Sequence, residues 1–177
     1  MTIEDIAAAV RRVESVLRRR PAIGIQDDAP ATAQWQTGLR VVASDANGAQ
    51  LVTDMPSELG GSGEHVTPGW LFRAGLASCL ATRIAMGAAT AGIELTLLEV
   101  LASSRSDARG LFGMADVSGE PVGPGPCDLQ LLVRIAAPGV SAEKLQTLVE
   151  DGNRCSPISA AARNAVAVAL RIEVGDA

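Results

Sequence analysis

The stretch from Thr67 to Ala91 constrains the fold more than any other part of the chain. Thr67-Pro68 reads as a helix cap with proline at the first helical position. Leu71, Phe72, Leu76, Leu80, Ile84 and Met86 then leave the helix apolar on nearly every face, until Gly92 stops it. A helix apolar all round is surrounded by protein. Gly75, Gly87 and several alanines permit close approach of neighbouring helices. Arg73 and Arg83 interrupt the run, so a membrane span is not expected. The remainder of the chain must therefore wrap this helix.

The flanking segments supply the wrapping. Thr2 and Asp5 form a capping-box-like start, and Ile3, Ile6, Val10, Val13 and Leu17 fall at helical spacing. Residues 1–20 are read as an appended amphipathic helix, 21–31 as a linker rich in Pro and Gly, and 32–177 as the main domain. Residues 32–43 and 49–55 look like strands joined by the turn Asp45-Ala-Asn-Gly48. Strands are also expected over 93–104 and 128–137, with turns or loops at Arg109-Gly110 and 119–126 between them. Ser141 caps a helix over 142–151, a short helix follows Pro157, and a last strand runs from Val166 to Val174. Helices and strands mix without an alternating β-α rhythm, which favours an α+β fold. The glycine-rich loop 58–63 lacks the Lys-Ser/Thr of a phosphate-binding loop and the strand-to-helix setting of a dinucleotide site.

Charge and composition exclude several functions. The chain has 177 residues and a formal charge of −5, with no basic tail and few aromatic rings, so nucleic acid is not an expected partner. The run Arg18-Arg19-Arg20 reads as the solvated end of the first helix. One histidine and three cysteines, without CxxC or HxxxH spacing, provide no zinc site, and His65 has no nucleophile elbow to serve. No export signal is visible, so a reducing, cytoplasmic setting is expected for the thiols.

Those thiols are the main chemical candidates. Cys79 lies inside the apolar helix, where a small buried filler is the plain reading. Arg83, one turn later on the same face, argues for reactivity, because a charged side chain there needs a partner or a groove and can stabilise a thiolate. Cys155 follows Arg154 and precedes Ser156-Pro157 at a helix start, where both neighbours favour a thiolate. Cys127, in a Pro/Gly loop, reads as a bystander.

Three segments together resemble the OsmC/Ohr family of thiol-dependent peroxide-reducing proteins. Pro56-Ser-Glu-Leu-Gly-Gly-Ser-Gly63 is similar to the family's loop. Thr67-Pro-Gly-Trp-Leu-Phe-Arg-Ala-Gly-Leu-Ala-Ser-Cys79 is similar to its NPE-x-L-x-x-A-x-x-x-C helix, and Ser156-Pro-Ile-Ser159 to its CPxS segment. The resemblance implies an entwined homodimer, with antiparallel sheets around paired central helices and active sites at the interface. It implies that Cys79 attacks a peroxide O–O bond and becomes a sulfenic acid. A second cysteine then forms a disulfide that an external dithiol reduces, with no metal, flavin or haem. Departures are visible. Gly69 stands where the family has Glu, and Gln36 or Thr37 near the family arginine, with Arg40 close by. Ser156 stands at the second cysteine, so Cys155 is one residue early and either approaches Cys79 or points elsewhere. The expected substitutes are Arg83 or Arg40 as the activating cation, with Glu64 as its anchor, and Cys155 as the resolving thiol. The alternative is a degenerate member that binds a small hydrophobic ligand near Trp70, Phe72 and Leu76, or senses redox state, because Gly69 leaves an apolar pocket wall.

Overall fold

The structure, a computed structural model, describes residues 2–164 and 166–175. It is an α+β arrangement built on one long helix. Helix α1 (Ile3–Arg19) opens the chain; the Thr2 hydroxyl accepts from Asp5 N at 3.2 Å and the Asp5 carboxylate from Thr2 N at 2.9 Å. Far from hanging free, α1 lies against the central helix α2 (Pro68–Thr90) and buries Ala7. Pro21–Gly24 adds a short 3-10 turn.

Strands β1 (Thr32–Thr37), β2 (Arg40–Ser44) and β3 (Gln50–Thr53) form a three-stranded antiparallel sheet in sequence order. The single strand expected over 32–43 is in fact a hairpin. Gly38 takes φ 57°, a left-handed conformation that costs glycine little, and Trp35 Nε1 donates to its carbonyl at 2.9 Å across the turn. The Asp45–Gly48 turn forms as expected, with Asp45 Oδ1 accepting from Asn47 N and Ala49 N.

The glycine loop that follows is a packing device. Asp54, 3% exposed, accepts from Met55 N, Ser62 N and Ser62 Oγ and folds the loop back on itself. A Cβ on Gly61 would stand 1.8 Å from Met55 O, so only glycine fits there. Thr67 caps α2 by accepting from Trp70 N at 3.1 Å, and Gly92 ends it at φ 66°.

Helix α2 touches α1, β4 (Leu97–Arg105), α4 (Ala142–Arg154) and α5 (Pro157–Arg163), and its Leu76, Leu80, Ile84, Ala88 and Ala89 are buried. Glycines set the helix spacing: a Cβ on Gly152 would meet Ile84 Cγ1 at 2.8 Å, and one on Gly87 would meet Leu148 Cδ1 at 2.9 Å. Strand β4 pairs antiparallel with β5 (Cys127–Ala136). Arg109-Gly110, expected as a turn, belongs to the one-turn helix α3 (Ala108–Leu111), capped by Asp107. The strand expected over 166–174 is absent: described residues 166–175 join no ladder and are exposed, while Ala165 lies outside the described residues. Among the described residues no strand pairs with that segment, and a strand exists only through its partner's hydrogen bonds. Among the described residues no helix is long and apolar enough to cross a membrane.

Candidate functional site

Cys79 lies in the middle of α2 and is half-buried. Its neighbour across the fold is Ser156, whose side chain has no exposure and whose Oγ donates to Cys79 Sγ at 3.2 Å. The same Oγ caps α5 by accepting from Ser159 N at 3.4 Å. One hydroxyl therefore closes a helix and touches the thiol. Among the described residues this is the one hydrogen bond that reaches Cys79 Sγ.

The other sequence candidates distribute unevenly around this pair. Cys155 is exposed and stands at the carbonyl end of α4, its N–H donating to Asp151 O at 3.1 Å. Cys155 is thus the C-cap of α4 and also the residue before the Ser156 N-cap of α5, the helix start that the Ser-Pro pair indicated. Arg154 carries an ion pair to Asp151, and this hydrogen bond, followed by the field of Cys155, raises the guanidinium's affinity for its proton. Arg83 turns toward Met86, its Nη1 3.9 Å from the Met86 sulfur, and its Nε is buried with no partner among the described residues. Arg40 pairs with Glu64 at 3.4 Å, and its Nε is likewise buried with no partner among the described residues.

Trp70, Phe72 and Leu76 do not share one pocket. Phe72 lines a groove of about 510 Å³ with Met55, Leu59, Gly69, Arg73 and Leu111. Leu76 faces a second cavity beside Leu131 and Ser159, and Trp70 is exposed outside both. Helical periodicity separates Trp70 from Phe72, since positions two apart on a helix diverge in direction; Phe72 and Leu76, one turn apart, lie along the same face and open onto different cavities along it.

Two features escaped sequence reading. Ser156 matters because an N-cap side chain must point into the helix entrance; a Ser-Pro start with Ser159 three residues on was the available sign. Arg73 matters because it lies one turn after Gly69. A Cβ on Gly69 would meet Arg73 Nη1 at 3.8 Å, so the guanidinium borders the space a larger residue at 69 would fill. Arg73 Nη1 donates to Ser104 Oγ at 3.4 Å. Among the described residues no cluster of three His, Cys, Asp or Glu side chains could hold a metal ion.

The scaffold is α+β, with a partly buried cysteine on its central helix in contact with a capping hydroxyl. The OsmC-like protein family model matches residues 61–171. An organic hydroperoxide resistance protein of Xanthomonas axonopodis pv. citri is 35% identical over 146 residues, covering 81% of this chain and 92% of the relative. The chain belongs to the OsmC-like family. Solved structures share the fold. An OsmC-like protein from Mycoplasma pneumoniae superposes with a TM-score of 0.65 at 15% identity, over 80% of this chain and 91% of that one. An organic hydroperoxide resistance protein from Legionella pneumophila gives 0.53 at 23%, over 78% and 92%.

Proposed function

We propose that this protein reduces organic hydroperoxides through Cys79, in a peroxide-defence role like that named for its relatives. The observation that carries the reading is the donated hydrogen bond from buried Ser156 to a thiol that solvent still reaches. In the reaction the Cys79 thiolate attacks the terminal oxygen of ROOH. The S–O bond forms, the O–O bond breaks, and the alkoxide leaves as ROH after taking a proton. Arg83, one turn along α2, is the nearest cation in sequence to the thiol. Arg40 held by Glu64 is the second cation, at the sheet face of the loop leading into α2. No cofactor takes part; an external dithiol returns the sulfur to its starting state, in the cytoplasm where such donors are available.

The working form is a homodimer. The single chain exposes 13116 Å², against about 8,100 Å² for a compact monomer of 18.2 kDa, an excess of about 5,000 Å². That excess includes a row of apolar side chains at alternating positions, Val166, Val168, Leu170, Ile172 and Val174. Alternation of this kind is the pattern of a strand with one face to bury, and an area of this order is that of an obligate interface.

A second reading, ligand binding without turnover, is favoured by the apolar groove beside Phe72 and Arg73, which does not include Cys79. Consumption of cumene hydroperoxide with dithiothreitol separates the two. The native chain should turn over and Cys79→Ser should not. A native chain as inert as Cys79→Ser would leave the binding reading in possession.

A further inference from the structure

We infer that the sulfenic acid of Cys79 is not resolved by a second cysteine of this chain: Ser156 shelters it, and an external thiol attacks it directly. This rests on the peroxide reading above. Ser156 occupies the contact with Cys79 Sγ that a resolving sulfur would need, and its oxygen cannot form a disulfide. Cys155 is the adjacent residue, but it is exposed where Ser156 is fully buried. The junction between α4 and α5 fixes that difference. Cys155 N donates to Asp151 O at 3.1 Å and Ser156 N to Asn153 O at 3.4 Å. Ser156 Oγ holds Ser159 N, and Pro157 follows at the first position of α5. Turning Cys155 toward Cys79 would expel Ser156 and uncap α5. A disulfide requires Cα atoms within about 7 Å and side chains aimed at each other. Cys127 is exposed on another element, paired with Arg105 in the β4–β5 ladder.

The surroundings suit an added oxygen. Ser159 lies three residues after Ser156 on α5, 2% exposed, and its Oγ is buried with no partner among the described residues. With the Ser156 hydroxyl it provides hydrogen-bonding groups beside α2 for a polar product that an apolar helix would otherwise disfavour. Cys79 itself is only partly buried, which leaves a small thiol a route to it. The steps balance with a dithiol. Its first thiolate attacks the sulfenic sulfur, forming a mixed disulfide as hydroxide leaves and is protonated to water. Its second thiolate attacks its own sulfur in that bond, releasing Cys79 as thiolate and the donor as its cyclic disulfide. The two electrons that reduced the peroxide come from the donor.

The test is one equivalent of cumene hydroperoxide without thiol, followed by dimedone trapping and mass mapping of the native chain, Cys155→Ser and Ser156→Cys. The native chain and Cys155→Ser should both carry the dimedone adduct at Cys79 in equal yield. Ser156→Cys should lose two hydrogens instead, joining Cys79 to the introduced thiol. A Cys79–Cys155 disulfide in the native chain, absent in Cys155→Ser, would overturn the inference while leaving the peroxidase reading intact. A sulfenic acid that persists in Ser156→Cys would overturn the placement of residue 156 at the sulfur. No oxidation of Cys79 in any variant would overturn both readings together.

Discussion

Around α2, Leu76, Leu80 and Ile84 are at most 1% exposed, while every residue of β1 is exposed and so is the apolar row 166–174. The tail row is as apolar as these α2 positions, so composition does not separate those two. Topology does. Helix α2 is met by α1, β4, α4 and α5 of its own chain, whereas the three-stranded sheet and the C-terminal segment find no such cover. The helical half holds the thiol and buries itself; in the proposed homodimer a second copy would cover the sheet and tail. On that proposal the thiol is positioned by contacts within one chain while stability would depend on assembly.

The largest effect that tests this contrast is Leu80→Ala. Truncating a side chain 1% exposed at the centre of the helical half should cost about 2–5 kcal/mol in denaturant unfolding. A loss near zero would mean that the helical half is not the core. Gly61→Ala comes next, at the seam between sheet and helix. Its Cβ would meet Met55 O at 1.8 Å, so the loop must move, at about 1–3 kcal/mol. The tail behaves differently. Val168→Asp with Ile172→Asp should weaken the dimer by more than about tenfold in sedimentation while helical circular dichroism persists. An unchanged dimer would show that these side chains are not interface. The smallest effect is a pH dependence. Hydrogen bonds from the Ser62 side chain, then from the Met55 and Ser62 backbone, hold the Asp54 carboxyl below the usual range. A depressed carboxyl stabilises the fold above its unfolded value, near 4, and loses that contribution as pH falls through its folded value. Between about pH 5 and about pH 3 the native Tm should therefore drop more than that of Asp54→Asn.

The legible parts of this structure are those decided within one helical turn or one tight turn. The Thr2 and Thr67 caps, the Asp45–Gly48 turn and the glycine stop at Gly92 all depend on residues a few positions apart. Arg40 with Glu64 was one of two cation choices the sequence offered, and the sheet that carries Arg40 brings it across 24 residues to Glu64. The hairpin at Gly38 was missed because one glycine inside an apolar-polar run resembles a strand interior as much as a turn. The Ser156–Cys79 contact joins residues 77 apart, and only the packing of α5 on α2 creates it. The tail strand was legible as a pattern, yet a pattern cannot supply the neighbouring strand.

The central claim is that Cys79 is the peroxide-reactive thiol although Cys127 and Cys155 are the more exposed ones. The direct measurement is site-resolved oxidation: a substoichiometric pulse of cumene hydroperoxide, rapid alkylation of unreacted thiols, and mass quantification at each cysteine. Oxidation concentrated at Cys79, ahead of both exposed cysteines, is the predicted result. Oxidation that simply follows exposure, with Cys127 and Cys155 ahead of Cys79, would contradict it.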